Sequence, residues 1–162
     1  MENMESITYE GLLNKMLFDK RNMLILGCAG SGKTYLVKSM IQKLARQGSE
    51  CSVLLCAPSG IAALNINGCT IQSLFSIRPY TYDINSTFIG NIRRIKQIQN
   101  AKILLIDEIS MLRCEILDIV DTKLRILTGE INKPFGGLRI IFIGDLFQME
   151  PVIEEKEYEF MN

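Results

Sequence analysis

Histidine is absent from the 162 residues, and the five cysteines, Cys28, Cys51, Cys56, Cys69 and Cys114, show no zinc-ligand spacing. A zinc centre is therefore not expected, and the odd thiol count argues against a disulfide scaffold. Reduced thiols, together with the lack of a secretory leader pattern, predict an intracellular protein. Net charge is also missing, with 18 basic residues against 18 acidic ones. That balance rules out a global basic field, so any nucleic-acid binding must come from local geometry. No apolar run exceeds strand length, which predicts no membrane partner. Repeats, low-complexity tracts and linker-like stretches are absent too. What remains is one domain, large enough to bury about two-thirds of the surface its unfolded chain exposes.

The most informative feature present is Gly27-Cys28-Ala29-Gly30-Ser31-Gly32-Lys33-Thr34, which fits G-x-x-x-x-G-K-[ST]. It follows the apolar run Met23-Leu24-Ile25-Leu26 and precedes a helical pattern, the context in which this loop binds nucleotide. Glycines let the backbone turn its N–H groups toward a polyphosphate, and the next helix points its positive dipole end there. The expected ligand is ATP with Mg²⁺. Lys33 is expected to reach the β- and γ-phosphates and Thr34 to place its hydroxyl on the metal. The competing reading is a glycine turn that only joins strand to helix.

Periodicity places the remaining elements. Ile7 to Phe18 has a helical period, with Tyr9, Leu12, Leu13, Met16 and Leu17 apolar. Leu36, Val37, Met40, Ile41 and Leu44 form one helical stripe that Gly48 can stop. Cys51 to Cys56, Lys102 to Ile106 and Leu138 to Ile143 read as buried strands. Met111 to Leu127 reads as a helix with Ile116, Leu117, Val120, Leu124 and Leu127 inward, and with Asp118, Asp121, Lys123 and Arg125 outward or sideways. Asn91 to Gln99 reads as a helix with Ile92, Ile95 and Ile98 on one side and Arg93, Arg94 and Lys96 on the other. A solvated face is the plainer reading of those basic residues. Continuously apolar strands alternating with helices imply an α/β, doubly wound domain whose mainly parallel sheet is covered on both faces.

Two further clusters reach the sheet edge where ligands sit in such folds. Ile103-Leu104-Leu105-Ile106 delivers Asp107 and Glu108; Asp107 is expected to hold Mg²⁺, and Glu108 to orient and deprotonate the attacking water. An acidic helix start is the alternative. The last strand ends in Gly144-Asp145-Leu146-Phe147-Gln148-Met149-Glu150-Pro151. Gln148 can donate to the γ-phosphate or the attacking water and accept from a neighbouring loop, so it can report whether that phosphate is present.

Together with Ala57 to Ile66, Gly68 to Phe75, Ile106 to Met111 and Lys133-Pro134-Phe135-Gly136-Gly137, these clusters occur in a definite order. In that order the chain resembles the first RecA-like lobe of a Pif-family DNA helicase, in the 5′-to-3′ branch of superfamily 1. The resemblance implies a RecA-like P-loop NTPase lobe over residues 22–152. An N-terminal helical segment, 1–21, precedes it, and an acidic stump, 153–162, holding Glu154, Glu155, Glu157 and Glu159, follows. It also implies that the last strand or strands of the sheet, and the second lobe, are lacking. Single-stranded DNA is the implied partner. Ser59 and Gly60, opening a helix after Pro58, can grip a strand phosphate without reading sequence; a simple helix cap is the competing reading. The resemblance adds Thr70 and Gln72 as the next contacts, with Gln72 standing where family members usually carry histidine. Phe75 and Phe147 are candidates for base stacking, with core packing the alternative for Phe75.

Family members carry a second lobe that closes the ATP site with arginine. A separately encoded second lobe is thus a possible partner, and the lobe alone is expected to hold ATP·Mg²⁺ and hydrolyse it slowly. Other departures are the lack of an adenine-reading glutamine between Met1 and Lys20, and Met149-Glu150-Pro151 in place of Leu-Pro-Pro. A shortened nucleotide-binding protein, half of a split helicase, and another P-loop NTPase or kinase stay open as alternatives. The kinase reading requires an arginine-bearing lid and an acceptor site, and neither pattern is present.

Overall fold

The computed structural model describes residues 8–46, 52–77, 91–145 and 147. Gly48, Cys51, Gln148, Met149 to Pro151 and the acidic tail lie outside the described residues. The strands are β1 (Met23–Leu26), β2 (Ser52–Ala57), β3 (Cys69–Thr70), β4 (Ala101–Ile106) and β5 (Arg139–Gly144). All five pair in parallel, in the order β1-β5-β4-β2-β3. The helices are α1 (Tyr9–Phe18), α2 (Lys33–Arg46), α3 (Gly60–Asn65), α4 (Ile71–Phe75), α5 (Ile92–Gln99) and α6 (Cys114–Thr128).

Strand alternation splits the core in two. Leu54, Cys56, Leu104, Ile106 and Ile140 point to one face, where Leu74, Phe75, Ile98, Ile116, Val120 and Leu124 of α4, α5 and α6 cover them. Ile25, Ile103, Leu105, Ile141 and Ile143 point to the other face, against Leu13 and Met16 of α1 and Leu36, Val37 and Met40 of α2. Each buried Leu, Ile or Val is worth about 1.5–3 kcal/mol over an exposed one, which is why the continuous apolar strands are legible at all. The first helix is therefore part of the core.

Its C-terminus is held from the last strand. Arg139 of β5 donates from Nε to the Arg21 carbonyl at 2.9 Å, from Nη1 to Met16 O at 2.6 Å and from Nη2 to Lys15 O at 3.1 Å. Carbonyls in the last turn of a helix are short of partners; the planar guanidinium serves Met16 O and adds a second donor to Lys15 O, which also accepts from the Asp19 N–H at 3.0 Å. Asn22 adds a side-chain acceptor for the Ile140 N–H at 2.9 Å.

Three expectations need correction. The helix read from Met111 begins instead at Cys114; before it, Glu108 is left-handed (φ 53°, ψ 47°) and a single 3₁₀ turn covers Ile109–Met111. Leu112 and Arg113 are then extended (ψ 128° and 145°), so the 3₁₀ turn cannot run on into the helix and α6 starts only after them. Lys123, read as outward or sideways, is 3 % exposed. It follows Ile116, Ile119 and Val120 on the buried stripe of α6, and a long aliphatic stem can run along apolar surface there. Phe75 is fully buried in the core, so it is not available for base stacking.

Candidate nucleotide-binding site

The C-terminal ends of β1, β4 and β5 bring three sequence clusters to one edge of the sheet. The loop Gly27 to Thr34 leaves β1 and runs into α2, with positive φ at Gly30 (74°) and Gly32 (88°), which only glycine adopts cheaply. Cys28, Ala29, Gly30, Ser31 and Gly32 are exposed, while Lys33 and Thr34 are half-buried. Lys33 folds back across the loop, its Nζ donating to Gly27 O at 2.7 Å and Cys28 O at 3.1 Å. The loop thus holds the lysine ammonium against its own carbonyls.

Asp107 lies at the end of β4 and is only 3 % exposed. Its N–H donates to Cys56 O at 3.0 Å and its Oδ1 accepts from the Glu108 N–H at 2.9 Å. Burial pushes the carboxyl above its ordinary value, while the Glu108 N–H and the Lys33 charge pull it back. Asp107 and Lys33 are therefore within electrostatic reach, although they come from different strands.

Glu108 is the unusual residue. Its Oε2 is buried without a hydrogen-bond partner among the described residues, as is Ser110 Oγ next to it. Nearly all buried polar atoms have partners, so an orphaned carboxylate oxygen at a strained, left-handed position marks a place built for something else. A water molecule bound there could donate to it. The donor set also suits Mg²⁺, which takes one or two protein oxygens and keeps phosphate and water for the rest. Among the described residues no group of three or more His, Cys, Asp and Glu could hold a metal by itself.

The end of β5 locks the two loops together. Gly144 O accepts from the Gly27 N–H at 3.1 Å. A Cβ at Gly144 would sit 2.8 Å from Ile109 Cγ2 and 3.2 Å from Ile109 N, so the Glu108 turn packs directly on this glycine. Gly144→Ala is expected to push that turn outward and to cost about 1–3 kcal/mol of stability. The check is a melt: for this size of domain each kcal/mol lowers the midpoint by about 2–4 °C.

Asp145, which the sequence placed in the cluster without a role, is 4 % exposed, and its Oδ1 accepts from the Phe147 N–H at 3.1 Å. Its position directly after a strand was the available signal. Ser110 had no such signal, since a lone serine in a turn is common.

The elements beside β2 lie next to this edge. Ser59 caps α3, its Oγ accepting from the Ala62 N–H at 3.2 Å. The hydroxyl hydrogen is still available to a second acceptor. Gly60 is exposed, and a Cβ there would meet nothing within 4 Å. Among the described residues nothing therefore crowds that position, and the backbone there is open to close approach. Thr70, at the end of β3, caps α4 by accepting from the Ser73 N–H at 3.2 Å, and Gln72 is half-buried in the first turn of α4. The side chain of Phe147 is 99 % exposed.

A sequence model of PIF1-like helicases matches residues 4–161. The chain belongs to the PIF1-like helicase family. It is 35 % identical over 145 residues to the ATP-dependent DNA helicase PIF1 of Saccharomyces cerevisiae, covering 87 % of this chain and 17 % of that protein. Against the Psychrobacter Pif1 helicase the identity is 36 % over 136 residues, covering 82 % of this chain and 20 % of the relative. The fold matches the crystal structure of Bacteroides Pif1 in complex with ADP-AlF3 and single-stranded DNA, with a TM-score of 0.80, 36 % identity, and coverage of 97 % of this chain and 36 % of that one. Candida albicans Pif1 gives a TM-score of 0.79 at 29 % identity, covering 98 % and 35 % respectively. The chain therefore spans about a fifth of these curated relatives and about a third of the solved Pif1 chains. Family membership agrees with the RecA-like sheet and with the order of the clusters along it.

Among the described residues no helix is long and apolar enough to cross a membrane.

Proposed function

We propose that this chain is the lobe of a 5′-to-3′ DNA helicase that binds and hydrolyses ATP, and that its turnover is coupled to single-stranded DNA. The observation carrying this reading is the partnerless, buried Glu108 Oε2 beside Asp107, at the edge that also holds Lys33. On this reading, Lys33 exchanges its two loop carbonyls for the β- and γ-phosphate oxygens of ATP, while the N–H groups of residues 29–32 line the phosphates. Thr34 and Asp107 hold Mg²⁺, which neutralises phosphate charge when bound. Glu108 accepts a hydrogen bond from the attacking water and then its proton. Gln148 contacts the γ-phosphate or that water and passes its presence on to the neighbouring loops.

Ser59, Gly60, Thr70 and Gln72 hold DNA phosphates along the β2–β3 side of the same edge, which puts the strand contacts one and two strands away from the strand that ends at Asp107. The solved Bacteroides relative was crystallised with ADP-AlF3 and single-stranded DNA together, which supports joint binding here. Strand separation requires a second lobe. Among the described residues β1 is an edge strand, and Leu24 and Leu26 on it are 58 % and 50 % exposed, which suits further polypeptide packed there. The second lobe would also bring the arginine that is worth about 10³–10⁵ in turnover in related phosphoryl-transfer enzymes. Steady-state ATP turnover of this chain, with and without oligothymidylate, tests the reading. The expected result is slow basal turnover that rises with single-stranded DNA and rises further when a second-lobe polypeptide is added. Turnover that ignores DNA under both conditions would contradict it.

A further inference from the structure

The start of α5 carries charge that the ATP site does not use. Within Ile92–Gln99 there are three basic residues, Arg93, Arg94 and Lys96, and no acidic one, in a chain whose total charge is zero. Arg94 is half-buried, and its Nη1 donates to the carbonyl of Ser73, in the middle of α4. The N–H of that same Ser73 donates to Thr70 Oγ1. One residue of α4 thus joins the Thr70 cap to the Arg94 guanidinium. The charge is felt there: burial pushes the Cys69 thiol up and the Arg94 cation pulls it back.

Arg93 is exposed, and its guanidinium makes no ion pair or hydrogen bond among the described residues. Its backbone is fixed, because Asn91 caps α5 by accepting from the Arg93 N–H at 2.9 Å. A guanidinium has five donors, and among the described residues Arg94 uses only its Nη1, on Ser73 O.

We propose that Arg93 and Arg94 form a phosphate grip that continues the single-stranded DNA path from Ser59, Thr70 and Gln72 across α4 to the start of α5. The grip rests on the DNA-binding reading above. It is sequence-independent, since guanidinium–phosphate contacts carry no base information. It also accounts for a half-buried arginine tied to α4, which a merely solvated face has no need of.

The test is a salt titration of binding between the full chain and labelled oligothymidylate. Each single-strand phosphate contact contributes about 0.7 to the slope of log affinity against log salt. Arg93→Gln is expected to lower the slope by about that much, and Arg93→Gln with Arg94→Gln by about twice as much. Lys102→Gln removes the same charge from the exposed second residue of β4, at the opposite edge of the sheet, and is expected to leave the slope unchanged. Arg93 is exposed and is held at the start of α5 by its backbone N–H, so its variant keeps the Asn91 cap of the helix. An unchanged slope in Arg93→Gln, or an equal loss in Lys102→Gln, would overturn the grip and leave the DNA-binding reading intact. No binding by the unsubstituted chain would overturn both.

Discussion

Lys33→Ala is expected to abolish measurable ATP·Mg²⁺ binding in a fluorescent-nucleotide titration. Each hydrogen bond to a charged group is worth about 1.5–3 kcal/mol, and Lys33 is placed to make at least two with the phosphates, so the affinity loss is about 10²–10⁴-fold. In the free protein the lysine also ties the loop through Gly27 O and Cys28 O, so alanine loosens the cradle as well as removing the charge. Asp107 loses a cation that pulls its carboxyl down, and its buried charge becomes harder to maintain. The effect belongs to the site if the melting midpoint of the variant stays near that of the parent. Retained binding would remove the phosphate role from this loop.

Glu108→Gln is expected to do the opposite: nucleotide affinity stays within about a factor of two while turnover falls by about 10²–10⁴, the usual size of a general-base contribution. The substitution is nearly isosteric, so the left-handed turn at φ 53° and the packing of Ile109 against Gly144 should persist. An amide cannot accept the water's proton at the position of the orphaned Oε2. Single-turnover hydrolysis, with affinity measured in parallel, separates this outcome from that of Lys33→Ala. Full turnover in the glutamine variant would move the base elsewhere.

Most of this arrangement could be read in advance, for reasons that differ from element to element. The strands β2, β4 and β5 were legible because a parallel sheet covered on both faces needs continuous apolar runs, and the observed bounds differ from the expected ones by a residue or so; β1 was legible by the same run, although Leu24 and Leu26 on it are exposed among the described residues. The loop Gly27 to Thr34 and the pair Asp107-Glu108 were legible because their residue types follow strands of that kind. The two-residue β3 and the five-residue α4 could not be read, because neither is long enough to show a period. The start of α6 was misplaced because Leu112 and Arg113 are extended between the 3₁₀ turn and the helix, although their residue types fit a helical period. Lys123 was misassigned by charge, where the helical stripe alone would have placed it inside. Phe75 looked like a stacking residue only while its neighbours in the core were unknown.

The bonds from Arg139, two to the last turn of α1 and one to the Arg21 carbonyl just beyond it, act as a strut. A displacement of α1 is passed through Arg139 into β5, along β5 to Gly144, and from the Gly144 carbonyl to the N–H of Gly27. The first helix and the phosphate cradle, at opposite ends of the same strand, are thereby one stiff lever. Load applied to the outside of α1 would reach the nucleotide without bending the sheet.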